Sequence, residues 1–245
     1  MMPGLSRSSP IMAVQAADFL EELRTGAVES AFGKIMANPF WRCRYGENID
    51  RIIRKDLNYD VDYLVSALRL LNPGTLTYFY RWQRDLFSPR GMCTRHLLET
   101  QAALHSSIMD ALPELAVPLS PYILASASGL TYDLPACREL DRQEALAAES
   151  AARRMYPQET AEGARLRAHC TQNNRYFLSF LLDAVAVSAP ARFLTHLQWT
   201  AGFLEPLGIE PGSLPALLRC LQSEIEERLP AHAAPFTEVL DRAEL

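Results

Sequence analysis

The stretches RWQRDLFSPRG (residues 81–91) and QWTAGFLEPLG (residues 198–208) share the order of tryptophan, proline and glycine. Shifting the chain by 117 residues places Trp82 on Trp199, and the match extends without a gap over residues 59–118. Fifteen positions in that window are identical. They include prolines and a glycine, the residues that most often mark the ends of helices. We interpret this likeness as a tandem duplication, the pattern typical of repeated structural units.

The duplication predicts two units of about 117 residues, each with about five helices. The expected units are residues 1–130, with an N-terminal helix at about 11–37 and a duplicated core at about 48–128, and residues 131–245, with a first helix at about 135–155 and a duplicated core at about 160–243. We expect the two units to pack as a pseudo-two-fold helical bundle, because related units usually bury apolar surface against one another.

The spacing of apolar residues predicts an all-α fold. Leu97, Leu104, Ile108 and Leu112 are spaced to lie on one face of a helix. Alternating strand patterns and hairpin turn signals are missing from the sequence. The SASG sequence that ends at Gly129 is interpreted as a helix end with a left-handed glycine. The remaining helices are predicted at about 48–71, 75–87, 119–127, 160–188, 191–204, 212–229 and 233–243, with one more starting after Thr94.

Composition and charge favour an ordinary globular protein in the cytoplasm. The net charge of −5 argues against nucleic-acid binding, which normally needs a basic surface. Five widely spaced cysteines indicate reduced thiols. The longest apolar stretch, residues 176–187, is interrupted by Asp183 and is too short to cross a bilayer, so we expect no membrane association.

The motifs that usually carry catalysis do not occur in the sequence. Gly-x-Ser-x-Gly, Walker and His-Glu-x-x-His patterns are missing, so an enzyme is the third and weakest hypothesis. Cys93 and His96 have a spacing that suits two metal ligands, but the second unit does not repeat it. We therefore predict no metal site and no catalytic residues.

Two hypotheses for function remain. The first is a non-enzymatic regulatory or protein-interaction protein, whose partner is another protein or a second copy held through the helix at 11–37. The second is a sensor or carrier of a small apolar ligand, such as a tetrapyrrole, bound between helices. The paired tryptophans are expected in the core. The arginines beside the first tryptophan could bind an anionic ligand. The candidate ligand-binding residues are Tyr80, Arg81, Trp82, Arg84, Phe193, His196 and Trp199.

Overall fold

The computed structural model describes residues 10–204 and 212–243, and within these ranges every regular element is helical. The predicted all-α fold is therefore confirmed. The α-helices are α1 (Pro10–Met36), α2 (Phe40–Tyr45), α3 (Ile49–Arg69), α4 (Gly74–Phe87), α5 (Thr94–Ala111), α6 (Ala116–Gly129), α7 (Pro135–Met155), α8 (Ala161–Ala186), α9 (Pro190–Leu204), α10 (Ser213–Arg228) and α11 (Ala234–Asp241). Short 3₁₀ turns at Ser88–Arg90 and Pro113–Leu115 connect α4 to α5 and α5 to α6.

The helices form two compact units. Unit 1 contains the chain up to Asp85 together with His96–Leu130, and unit 2 contains Leu86–Arg95 together with the chain from Thr131 onward. The segment Leu86–Arg95, which we call the strap, thus comes from the middle of the chain and packs in unit 2. It includes the end of α4, a 3₁₀ turn and the first two residues of α5.

In unit 1, α1 packs along α3 as a helical pair. The pair buries a stripe of α3 whose members recur every three or four residues, including Ile53, Leu57, Leu64 and Leu68. Outside this seam, ion pairs such as Arg54–Glu29 join the exposed sides of the two helices. The amphipathic pattern of α3 thus decides which face is core and which faces solvent.

In unit 2, α7 and α8 form the matching pair, with α10 packed on α7 and α9 on α8. The middle of α8 is buried on every side, which explains its long apolar run. Asp183 lies in that run and is itself buried. Its carboxylate accepts hydrogen bonds from the backbone N–H and the hydroxyl of Thr94 at 2.7 Å each, and from the Tyr132 hydroxyl at 2.8 Å. The aspartate therefore caps the start of α5, where negative charge is stabilising.

Positions separated by 117 residues, which we call matched positions, share local backbone detail. Leu71 (φ 53°) and Ser188 (φ 52°) both take the left-handed conformation after the ends of α3 and α8. In each case the next residue donates its N–H five residues back, from Asn72 to the Ala67 carbonyl at 3.0 Å and from Ala189 to the Ala184 carbonyl at 2.8 Å. This is the hydrogen bond that closes a left-handed helix end. The left-handed conformation is costly for a residue with a side chain, so its occurrence at matched positions is informative.

Two expectations about individual residues are wrong. Trp82 is more than half exposed and Trp199 is half-buried, whereas Trp41 is the tryptophan in the core. Trp41 lies on α2, a short helix that the apolar pattern did not predict. Gly129 does not have a positive φ. A Cβ there would lie 2.6 Å from the Thr77 carbonyl oxygen, so glycine is needed for close contact between α6 and α4.

Candidate functional site

An exposed aromatic surface lies on α3 and α4 of unit 1. Tyr59 and Tyr63 are 48% and 39% exposed on α3, and Trp82 is 54% exposed on α4. The Phe79 ring joins the two helices, because it stacks on Tyr63 with a centroid distance of 3.7 Å and on Trp82 at 6.1 Å. We call the surface formed by Tyr59, Tyr63, Trp82 and the exposed Tyr78 the aromatic face.

The aromatic face continues along α3 as an apolar stripe. Ile52, Tyr59, Tyr63 and Leu70 are all exposed, and their spacing places them within one narrow strip of the helix surface. Single exposed apolar residues are ordinary, but a continuous exposed stripe is typical of an interaction surface.

The matched surface of α8 in unit 2 is covered. Tyr176 and Phe180, which match Tyr59 and Tyr63, are only 1% and 4% exposed. The strap lies over Tyr176, and the His196 ring of α9 stacks on Phe180. The backbone N–H of Arg95 donates to the Ser179 hydroxyl at 3.0 Å, and its guanidinium lies 5.6 Å from the centre of the Tyr176 ring. The helix faces at these matched positions therefore have opposite exposure in the two units.

A buried polar cluster occupies the core of unit 1 beneath the aromatic face. Asp60 of α3 accepts a hydrogen bond from the Gln83 side chain of α4 at 2.9 Å. Burial raises the pKa of Asp60 to about 8, with the nearby Asp56 carboxylate adding to the rise and the Gln83 hydrogen bond opposing it. Burial also raises the pKa of Tyr80, which hydrogen-bonds to Gln101 of α5. The cluster thus holds a protonated carboxyl group at neutral pH.

The unit 1 residues named from the sequence occupy three environments. Tyr80 is buried in the polar cluster and does not reach the surface. Arg81 and Trp82 are exposed on α4, and Arg84 is half-buried beside Asp85, with a guanidinium-to-carboxylate distance of 3.8 Å. The structure therefore does not gather Tyr80, Arg81 and Trp82 around one space.

The unit 2 residues named from the sequence form a packed stack. Phe193 and His196 are buried on α9, and Trp199 is half-buried one turn further on. The His196 ring lies between Phe180 at 3.8 Å and Trp199 at 6.0 Å, measured between ring centres. This stack matches the stack of Tyr63, Phe79 and Trp82 in unit 1 position by position.

Sequence reasoning missed Asp60, Gln83, Tyr59 and Tyr63. A usable signal was present for Asp60, because it falls on the same helical stripe as Ile53, Leu57 and Leu64. A carboxylate on an apolar stripe is expected to be either paired or protonated. This position on the stripe therefore marks Asp60 as a buried polar residue.

Within the described ranges 10–204 and 212–243, no group of three histidine, cysteine, aspartate or glutamate side chains is arranged to hold a metal ion. No single described helix combines the length and apolarity needed to cross a bilayer. Only Thr94–Ala111 and Pro113–Gly129 taken together meet that test, and they are bent by 119°.

Comparison of the chain with protein families, curated proteins and solved structures finds no match.

Proposed function

We propose that this chain is a non-enzymatic protein-interaction protein that binds a partner polypeptide through the aromatic face of unit 1. The observation that carries the proposal is the exposure of Tyr59, Tyr63 and Trp82, in contrast to the burial of Tyr176 and Phe180 at matched positions. Exposed tyrosine and tryptophan are the side chains most enriched where proteins bind one another.

We infer that the two units arose by tandem duplication. The support is the agreement of the left-handed residues Leu71 and Ser188, and of the two three-ring stacks, at the 117-residue offset found in the sequence. Helix ends agree as well, since α3 ends at Arg69 and α8 at Ala186. The pseudo-two-fold packing of the units stays a prediction.

The covered face in unit 2 indicates what kind of partner suits the open face in unit 1. The strap crosses α8 as a short apolar segment, places an arginine over Tyr176 and directs the start of a helix at Asp183. In unit 1, Asp62 matches Ser179, and its half-exposed carboxylate pairs with Arg24 at 2.6 Å. The fitting partner is therefore a polypeptide segment with an apolar stretch and an arginine that lies over a tyrosine ring.

Site-specific photo-crosslinking in cells tests the proposal. Benzoylphenylalanine placed at Trp82 should give a discrete crosslinked partner, whereas the same group at Leu146, an isolated exposed residue on α7, should not. The partner, once purified, should bind the chain about tenfold or more weakly when Tyr63 is changed to Asp, as expected for an aromatic hot spot.

Two outcomes would contradict the proposal. One is an equally diffuse set of crosslinks from the Trp82 and Leu146 positions. The other is a partner whose affinity is unchanged by Tyr63→Asp and lowered by Leu146→Asp. A crosslink between two copies of the chain, confirmed by a dimer in light scattering, would show instead that the aromatic face serves self-association.

The small-molecule alternative stays a prediction, including a tetrapyrrole beside His196. So does the cytoplasmic location.

A further inference from the structure

A cleft lies on the surface of unit 2 between α7 and α8. Its volume is about 390 Å³. The residues that line it are Ala145, Glu149 and Arg153 on α7, and Arg167, Ala168, Thr171 and Arg175 on α8. Apart from Ala168, they recur every four residues on each helix, so each set forms one ridge facing the cleft.

Small side chains keep the cleft open. In unit 1 the matched surface of α1 and α3 is filled, because the Arg54 guanidinium lies 3.5 Å from the centre of the Phe32 ring. The matched positions in unit 2 hold Glu149 and Thr171 instead, and neither side chain fills the space. The cleft therefore results from two specific differences between the units.

Arginines stand at both ends of the cleft. The two helices run antiparallel, since Arg175 contacts Glu144 near the start of the pair and Arg167 contacts the Tyr156 carbonyl near its turn. Arg153 and Arg167 thus lie at one end and Arg175 at the other, separated by about 12 Å along the helix axis.

Each guanidinium group already has partners, and two of the paired carboxylates are exposed. Arg167 donates to the Tyr156 and Gln158 carbonyls at 3.1 and 2.6 Å and lies 3.5 Å from the exposed Glu159 carboxylate. Arg153 bonds to Glu149 at 2.7 Å, and both side chains are more than half exposed, so this pair contributes little to stability. The Nε of Arg175 donates to both oxygens of the Glu144 carboxylate at 3.0 Å. The two terminal nitrogens of its planar guanidinium group lie beyond Nε. Glu149 is the one carboxylate among the lining residues, but Glu159 and Glu144 also pair with the lining arginines, so an added anion competes with these three carboxylates for the guanidinium groups.

We propose that this cleft binds a small elongated anion with an acidic group at each end. The paired guanidiniums bind one acidic group, Arg175 binds the other, and the Thr171 hydroxyl donates to the middle of the ligand. Guanidinium forks recognise carboxylate and phosphate in the same bidentate geometry, so either group fits. The proposal is independent of partner binding by the aromatic face, because it involves no residue of unit 1.

Calorimetric titration with tripolyphosphate and with adipate, at fixed ionic strength, tests the proposal and separates the two chemical sources. Arg153→Gln should weaken binding of the better probe about tenfold, as expected for one lost charge-assisted hydrogen bond. Arg165→Gln is the matched control: it removes the same charge from an exposed arginine of α8 that pairs with Glu162 and does not line the cleft. It should change the affinity less than about twofold.

A double variant distinguishes binding inside the cleft from attraction by net charge alone. Glu149→Phe with Thr171→Arg copies the filled surface of unit 1 and makes unit 2 more positive by two charges. Occupation of the cleft predicts that binding is lost, whereas attraction by net charge alone predicts tighter binding. Equal effects of the Arg153 and Arg165 variants, tighter binding by the double variant, or binding of neither probe at millimolar concentration would each overturn the proposal.

Discussion

The cores of the two units differ in polarity at matched positions. Unit 1 places Asp60, Tyr80 and Gln101 where unit 2 places Phe177, Leu197 and Leu218, and all of these side chains are buried. The matched positions therefore hold a hydrogen-bonded polar cluster in unit 1 and an apolar core in unit 2. An apolar core is stabilised by burial alone, whereas a buried carboxyl group remains stable only while it stays protonated or paired. The stability of unit 1 therefore depends on pH through the buried carboxyl group of Asp60, whereas the matched apolar residue in unit 2 has no such effect.

A second difference concerns the helix faces. In unit 2 the buried carboxylate of Asp183 is satisfied by three donors, two of them from Thr94 in the strap. The matched residue in unit 1 is Ser66, which is exposed on α3. An aspartate inside an apolar run thus identifies the face that is covered, and a serine at the matched position marks the face that remains open.

The largest effect is expected when the covered face loses its carboxylate. Asp183→Ala leaves the Thr94 and Tyr132 donors buried without an acceptor, and we expect the free energy of unfolding to fall by about 3–5 kcal/mol. The matched change, Ser66→Ala, should alter it by less than about 0.5 kcal/mol. Urea unfolding of both variants measures the difference. Similar losses for the two variants would show that the faces are not distinct.

A pH-dependent effect of comparable size is expected in the polar core. In the unfolded chain Asp60 loses its proton near pH 3.8, but in the folded chain its pKa is about 8. Between these values the folded state binds more protons than the unfolded state, so the contribution of Asp60 to stability falls as pH rises. Asp60→Asn removes this loss, so the variant should gain on the order of 5 kcal/mol relative to the native protein between pH 4 and pH 8.

Asp56→Asn supplies the control for this pH effect. Burial raises the pKa of Asp56 only to about 6, so its variant should gain less over the same pH range. Other titrating groups, such as His105, remain in the native protein and in both variants and largely cancel in the differences. A stability difference between Asp60→Asn and the native protein that does not change with pH would exclude a protonated Asp60.

The sequence predicts where the helices lie, but it does not predict which helix faces are exposed. Periodic apolar residues place α3, α5 and α8 close to their observed bounds, because helix formation and burial follow the same local pattern. Trp82 was misplaced because its neighbours on α4 do not reveal that α3 leaves its ring uncovered. Which face of a helix receives a distant segment such as the strap depends on contacts over about a hundred residues, and local periodicity carries no information on these.

Local sequence patterns also do not predict the cleft between α7 and α8. The arginines noticed in the sequence were those around Trp82, whereas the arginines that share a cleft are Arg153, Arg167 and Arg175. They come together because α7 and α8 pair in antiparallel fashion, and the space between them lies where Glu149 and Thr171 stand at the positions matched to Phe32 and Arg54. The 117-residue offset could have identified this difference from the sequence.

Hydroxyl-radical footprinting of the purified chain, read residue by residue by mass spectrometry, tests most directly whether related faces are open in unit 1 and covered in unit 2. Tyr59, Tyr63 and Trp82 should be oxidised rapidly, while Tyr176 and Phe180 should be protected by an order of magnitude or more, in keeping with their exposures of a few per cent. Comparable oxidation of Tyr63 and Phe180 would contradict the account.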